Sequence, residues 1–438
     1  MKRITCNTRQ QRQACATCYM SHVIRRIKNF YHLVEAFAAN VYYGFPSRKL
    51  KVIGVTGTDG KTTTSHLICH ILNSVGIKTS MISSIGAQIS GSNFDTGLHI
   101  TTPSSFAIQK LLRKAVKEGN KYFIIETTAH GLDQNRIWGI NYSLAVLTNI
   151  THEHLNSLDG YDYFRTYENY LRTKTKLLLL ADLAIINKDD QSYDEVKKIL
   201  EKNRHRYVAY SLTGKADYCW HKNIKTNIAG EMNKSNIMAA YAAAKEINIE
   251  EEKIIRAINT FSLPEGRLDV VFNKGFMVIV DFAHTINGLN QVLRTVKENF
   301  LKGKGKLIHV FGSAGLRDVS KRKSMGRVSG KYADIVILTE EDYRTEDPYK
   351  ICEQIGKGLQ EQGFVLVKDN LIEQNNKKIY TIIVNRKDAI KKAISIARKN
   401  DLIILTGKGH EKSLCRGKIE YPWDEKAIVL KTIEKLKL

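Results

Sequence analysis

From Leu50 onward the apolar residues follow two alternating rhythms. Short β-branched runs at 50–56, 78–83, 121–126, 143–149, 183–187 and 206–211 each predict a buried strand. Between and after them, at 62–75, 104–118, 163–179, 191–202, 233–247 and 250–260, apolar positions recur every three or four residues, as on a helix with one buried face. Pro103 follows Thr102 at a position that favours the first helical turn. Strand then helix, repeated, predicts a mostly parallel sheet covered on both faces. The rhythm resets around Pro264-Glu265-Gly266-Arg267, and a second series follows, with strands near 276–281, 306–311, 334–339, 379–384 and 401–406.

The chain ahead of Leu50 differs. Residues 1–34 hold no acidic side chain, and a helical pattern begins only near Ile24. About the first twenty residues predict an unstructured leader, with Met20 an alternative start. Cys15-x-x-Cys18, near Cys6 and His22, is the alternative reading as a metal site, although a single Cys-x-x-Cys falls short of the paired zinc pattern. The expected division is a basic leader and linker helix over 1–48, a central unit over 49–265 and a C-terminal unit over 266–438.

Composition narrows the class. The 438 residues suffice for two or three cores, and 43% hydrophobic with 26% charged is ordinary for a globular protein. The longest apolar stretch, Leu177 to Ile186, is interrupted by Asp182 and is too short to cross a bilayer. No secretory signal opens the chain, and the seven cysteines are scattered, so a cytoplasmic protein without a membrane partner is expected. Lys and Arg number 68 against 44 Asp and Glu, a net +24. The lysines are spread along the chain and not interleaved with aromatics, which argues against nucleic acid and leaves small polyanionic substrates or simply a lysine-rich proteome. A monomer is expected.

The chemistry concentrates after the first strand. Val52-Ile53-Gly54-Val55-Thr56 runs into Gly57-Thr58-Asp59-Gly60-Lys61-Thr62-Thr63 and then a helical pattern. Glycines let backbone N–H groups face a phosphate, and the helix N-terminus adds partial positive charge. Lys61 can reach outer phosphates, and the Thr62 hydroxyl can ligate Mg²⁺. Gly57-x-x-Gly60-Lys61-Thr62 is shorter than the general nucleotide-binding loop, because Val55 stands where that pattern has its first glycine. Glu126 closes the third strand, as a Mg²⁺ ligand or as a cap for the next element. The fourth strand ends in Thr148-Asn149-Ile150-Thr151-His152-Glu153-His154, and His154 is the preferred metal ligand there.

Taken in order, the motifs resemble the Mur ligase family of ATP-dependent amide-bond formers, from about Tyr43 to the C-terminus. They are the glycine loop; Glu126-x-x-x-His130; Thr148-Asn149-x-x-x-Glu153-His154; Gly230-Glu231-Met232-Asn233-x-x-Asn236; Pro264-x-Gly266-Arg267; Asp281-Phe282-Ala283-His284; Phe311-Gly312-Ser313-Ala314-Gly315-Leu316-Arg317-Asp318; and Gly407-Lys408-Gly409-His410-Glu411. Thr101-Thr102-Pro103, Gln134-x-Arg136 and Glu341-Asp342-Tyr343-Arg344 resemble the members that add the third peptide residue in peptidoglycan precursor synthesis. The resemblance implies a P-loop-type central α/β unit followed by a Rossmann-like C-terminal one.

It also implies roles. Gly57, Thr58, Gly60, Lys61, Thr62 and Thr63 would hold ATP phosphates, and Thr62, Glu126, His154 and Lys174 would serve Mg²⁺. Lys61, His154 and Lys174 would be catalytic. Lys174 matches the family lysine carbamylated by CO₂, with Lys176 as its rival. Asn233, Asn236, Arg267, Asp281 and His284 would contact the nucleotide. Thr101, Thr102, Gln134 and Arg136 would hold the UDP-muramoyl-peptide, Arg344 and Glu411 would bind the incoming amino acid at a carboxylate and an amine, and Arg317 and Gly407 would also bind substrate.

Three departures stand out. Glu341-Asp342-Tyr343-Arg344 replaces the Asp-Asn-Pro-Arg of diaminopimelate-adding members, which leaves diaminopimelate, lysine or another diamino acid open. Ala129 replaces a family serine beside His130. The N-terminal uridine-binding domain is expected to be absent or reduced, and residues 156–166 to carry an insertion. Rival readings are a folylpolyglutamate or cyanophycin synthetase-like ligase, a non-catalytic nucleotide-binding regulator, and a basic nucleic-acid-binding ATPase.

Overall fold

The computed structural model describes residues 9–97, 101–151, 164, 166–374 and 378–437, with side chains from Arg25 onward except those of 373 and 374. The first sheet comprises β1 (Lys51–Thr56), β2 (Thr79–Ser83), β3 (Gly86–Ile89), β4 (Ser92–Phe94), β5 (Tyr122–Glu126), β6 (Tyr142–Leu147), β7 (Ala181–Asn187), β8 (Tyr207–Ser211) and β9 (Tyr218–Cys219). Its order is β4-β3-β2-β5-β1-β6-β7-β8-β9. Only the β2-β3 and β3-β4 pairings are antiparallel. The central strands are apolar on both faces: Phe123 and Ile125 of β5 enter one core, Ile124 the other. This is the residue pattern of a parallel sheet covered on both sides.

The helices are α1 (Arg9–Tyr43), α2 (Lys61–Ser74), α3 (Ser105–Lys117), α4 (Ala129–Asp133), α5 (Tyr167–Leu179), α6 (Tyr193–Lys202), α7 (Glu231–Glu246) and α8 (Glu251–Thr260). Helix α1 corrects the expected leader: it begins at Arg9, well before Ile24. Neither glycine nor proline occurs between 9 and 43, so nothing in the backbone stops the helix there.

The second sheet comprises β10 (Asp269–Lys274), β11 (Phe276–Asp281), β12 (Leu307–Phe311), β13 (Ile335–Leu338), β14 (Val365–Leu366), β15 (Ile379–Ile382) and β16 (Leu402–Thr406), ordered β10-β11-β16-β12-β13-β15-β14. All its pairings are parallel except β10-β11. A hairpin of β17 (Ser413–Arg416) and β18 (Ile419–Pro422) follows. The remaining helices are α9 (Ile286–Thr295), α10 (Lys321–Tyr332), α11 (Pro348–Gln360), α12 (Arg386–Ile396) and α13 (Glu425–Leu436). The antiparallel β3-β4 pair was not expected from the periodicity. It turns at Ser90 and Gly91, both at positive φ, which is the backbone a two-residue hairpin requires.

Candidate active site

Strand β1 lies between β5 and β6, so the segments leaving the C-terminal ends of these three strands converge. Between β1 and α2 the chain passes through Gly57 at φ 152 and Gly60 at φ 82. A Cβ at Gly57 would stand 1.9 Å from the Thr148 hydroxyl, and one at Gly60 2.1 Å from Asn236 Oδ1. Neighbours as well as backbone angles therefore require both glycines. Lys61 Nζ donates to the carbonyls of Thr58 (2.8 Å) and Gly57 (3.1 Å), curling its ammonium over the loop. Lys174 on α5 donates to Gly57 O at 2.5 Å, with its ammonium 4.6 Å from the Tyr170 ring centroid. Lys174 is buried and Lys176 exposed, so Lys174 is the lysine that faces the loop.

Glu126 is 1% exposed at the end of β5. Its Oε1 accepts from Thr62 Oγ1 (3.2 Å) and Ser84 Oγ (2.9 Å), and its Oε2 from Ser84 N (2.8 Å). Thr62 Oγ1 also accepts from Arg267 Nη2 at 3.1 Å. A carboxylate and a hydroxyl side by side are hard oxygen donors, the kind Mg²⁺ takes together with phosphate oxygens. Ser84 is a site residue the motif reading missed; its signal was its place just past the C-terminal end of β2, the same logic that singled out Glu126.

The two sheets close over this loop. Asp59 accepts from Thr285 Oγ1 (3.1 Å) and Asn287 Nδ2 (2.8 Å) at the start of α9. His410 Nε2 lies 3.0 Å from Ser84 O. Asp281 accepts from the N–H groups of Leu268 and Ala283, both at 2.7 Å, so it shapes the turn that presents Arg267. Burial holds the Arg267 guanidinium below its ordinary range, opposed by Asp281 and Glu126. Burial, with Lys321 alongside, pushes His284 down to about 3, so it is neutral. The resulting cleft, about 260 Å³, is lined by Gly57 to Thr63, Thr101, Glu126, Lys174, Asn233, Arg267, Asp281 and His284 among others. Asn236 sits behind the loop: its Oδ1 lies 3.4 Å from Thr64 Oγ1, and its Nδ2 3.4 Å from Asn233 Oδ1. His154, with His152 and Glu153, lies outside the described residues, as does most of the expected 156–166 insertion.

The predicted substrate residues form two further groups. Arg136 links Gln134 and Thr102: its Nε donates to Gln134 Oε1 (2.9 Å) and its Nη1 to Thr102 O (2.7 Å). Thr101 Oγ1 and Ser84 Oγ, 2.9 Å apart, join this group to Glu126. Beyond β13 and β16 lies a charged cluster. Lys408, fully buried, bridges Asp342 Oδ1 (2.9 Å) and Glu411 Oε2 (2.5 Å). Arg344, at φ 52, donates to Gly315 O at 2.8 Å. Arg317 lies within electrostatic reach of Arg344, Asp342, Glu341 and Glu411, and also acts on His130, whose pKa burial lowers to about 4. Glu341 is buried and pushed upward by desolvation, and its Oε2 has no hydrogen-bond partner among the described residues. Gly407, at φ 105, leaves room for that oxygen, since a Cβ there would stand 2.8 Å from it.

The Mur ligase middle domain matches residues 55–244, and the Mur ligase glutamate ligase domain matches 266–409. The chain belongs to the Mur ligase family. It is therefore an ATP-dependent carbon–nitrogen ligase. It is 34% identical over 417 residues to the UDP-N-acetylmuramoyl-L-alanyl-D-glutamate–2,6-diaminopimelate ligase 1 of Clostridium acetobutylicum, covering 90% of this chain and 80% of that one. It is 35% identical over 424 residues to the UDP-N-acetylmuramyl-tripeptide synthetase of Borreliella burgdorferi, covering 90% and 78%. A solved diaminopimelate ligase of this kind superimposes with a TM-score of 0.57 at 27% identity over 89% of this chain and 79% of that one. A folylpolyglutamate/dihydrofolate synthase of Yersinia pestis reaches 0.67 over 93% of both chains at only 16% identity, which shows the shared Mur ligase fold. These relatives support a Mur ligase of peptidoglycan synthesis.

Proposed function

We propose that this Mur ligase adds a diamino acid, meso-diaminopimelate or lysine, to UDP-N-acetylmuramoyl-L-alanyl-D-glutamate in the cytoplasm, in peptidoglycan precursor synthesis. The division into 49–265 and 266–438 is part of the proposal, the first unit holding ATP and the second the amino acid. The observation that carries it is the closure of both sheets over one glycine loop, through Arg267–Thr62 and Asp59–Thr285. The space that side chains at Gly57 and Gly60 would fill suits a phosphate chain, and Glu126 with Thr62 suits Mg²⁺. Bound Mg²⁺ would offset charge on the phosphates.

Lys61 releases the loop carbonyls and meets the γ-phosphate as it transfers to an acceptor carboxylate, so an acyl phosphate forms. Carbamylated Lys174 would add an anionic oxygen donor beside Gly57. Arg317 and Arg344 orient the incoming carboxylate, which a guanidinium pairs well. Glu411 holds an amine, and a free amine attacks the acyl carbon to give amide and phosphate. The neutral state of His284 leaves no added positive charge to compete with Lys61 for the phosphates.

The reading is tested by incubating the protein with ATP, Mg²⁺ and the UDP-muramoyl-dipeptide, plus diaminopimelate or lysine, and weighing the product. A tripeptide product with one of the two supports the proposal, and phosphate release only with a folate acceptor defeats it.

A further inference from the structure

Helix α1 packs inward with small and polar residues, Ala36, Ala39 and Asn40 being buried, and leaves its large apolar side chains in solvent. Arg25 Nη2 pairs with Asp133 Oδ1 at 2.7 Å, Asn29 Nδ2 donates to Asp133 Oδ2 at 3.1 Å, and Asn40 Nδ2 to Trp138 O at 2.8 Å. Outward stand Ile27 (64% exposed), Phe30 (67%), Tyr31 (65%), Val34 (50%), Phe37 (54%), Val41 (54%) and Tyr42 (76%), on one face of the helix. The patch continues onto the body of the protein: the Phe37 ring is 5.9 Å from Trp138, and the Tyr42 ring 6.3 Å from Phe106, both partly exposed. Scattered surface apolar residues need no explanation, but a contiguous aromatic stripe of this length marks a contact face.

The charges beside it select the partner. Arg26 and Lys28 are exposed on the flanks of the stripe, and Lys110 is exposed one turn from Phe106. The first acidic residue of the chain, Glu35, is mostly buried with its Oε2 3.1 Å from His32 Nδ1. Two copies meeting through this face would bring like charges together on chains of +24 each. An anionic lipid surface complements both features, with aromatic and aliphatic groups entering the interface and Arg and Lys meeting headgroups.

We propose that the outer face of α1 seats this protein on an anionic lipid surface, lying in the interface plane. No membrane-spanning helix is involved: among the described residues none is long and apolar enough to cross a bilayer. The proposal departs from the sequence-based expectation of a protein without a membrane partner.

The test is flotation of the full chain with vesicles of phosphatidylcholine, alone or with about 30% phosphatidylglycerol. The protein should float with the anionic vesicles, several-fold less with neutral ones, and progressively less as salt rises. Ile27→Glu/Phe30→Glu/Val34→Glu should lower partitioning by more than about tenfold with an unchanged thermal transition. Arg26→Glu/Lys28→Glu, which leaves the apolar stripe intact, should lower it on anionic vesicles alone. Absence of flotation with anionic vesicles, or flotation unaltered in both variants, overturns the proposal. So does a dimer in sedimentation that the triple variant dissolves, since the face then belongs to a second copy.

Discussion

The loop end of the first sheet and the charged cluster at the end of the second are built by opposite means. Around Gly57 and Gly60 the geometry is steric and backbone-driven, because a single methyl at either would collide with Thr148 or Asn236. Around Lys408 the geometry is a balance of charges: buried Lys408 meets buried Asp342 and the half-buried Glu411, and Asp342 and Glu411 in turn act on the exposed Arg317, with the half-buried Arg344 alongside. A steric site tolerates almost no change but depends little on pH. A charge-balanced site can be retuned one group at a time, and is the natural place for members of one family to differ in the amino acid they take.

The largest effect should come from the loop. Lys61→Ala removes the cation proposed to meet the phosphates and should lower ATP-dependent phosphate release by at least about a thousandfold, with the melting temperature held. Phosphate release near the parent rate would remove the loop from the chemistry.

Next comes the support of the charged end. Arg386 is fully buried, pairs with both oxygens of Glu425 at 2.6 and 3.0 Å, and donates to Thr406 O at 2.8 Å. Arg386→Met leaves Glu425 buried with, among the described residues, only the Trp423 N–H against it and should cost about 3–5 kcal/mol in chemical denaturation. A loss below 1 kcal/mol would mean that water compensates the carboxylate.

Acid should act next, and chiefly through buried histidines. Burial lowers His284, His309 and His410 to about 3 and His66 and His130 to about 4. The unfolded chain takes up these protons near its ordinary value, about 6.5, where the folded chain does not. Stability is therefore fully present above that value and is lost as pH falls toward 4, at about 1.4 kcal/mol per pH unit for each histidine. Melting curves between pH 7 and 5 should show a steep decline, and a flat profile contradicts the burial account.

The smallest change sharpens the contrast most. Asp342→Asn removes one of the two carboxylates on Lys408 and should shift the KM for the amino acid by roughly tenfold while leaving that for ATP unchanged. Equal shifts in both would show that the two ends are not separable.

The same contrast explains what was legible. The β1-to-α2 segment was readable because strand, glycines, lysine and hydroxyl lie within a dozen residues and their roles follow from local backbone chemistry. The parallel cores were readable because apolar periodicity is local too. Ser84 was not, because its signal was position alone, just past the end of β2, in a residue type common in loops. Nor was the Asp342–Lys408–Glu411 chain, whose members come from two strand ends separated in sequence. The outward apolar side of α1 was also hidden, since a helical period reveals that a helix has two faces and not which of them the fold covers.

The central claim is that one cleft, closed by both sheets, moves the γ-phosphate of ATP onto an acceptor carboxylate. Its most direct test places ¹⁸O in the carboxylates of UDP-N-acetylmuramoyl-L-alanyl-D-glutamate, starts the reaction with ATP, Mg²⁺ and the diamino acid, and weighs the released phosphate. An acyl phosphate leaves one ¹⁸O in inorganic phosphate for every amide formed; unlabelled phosphate, or ¹⁸O appearing in AMP, would contradict it.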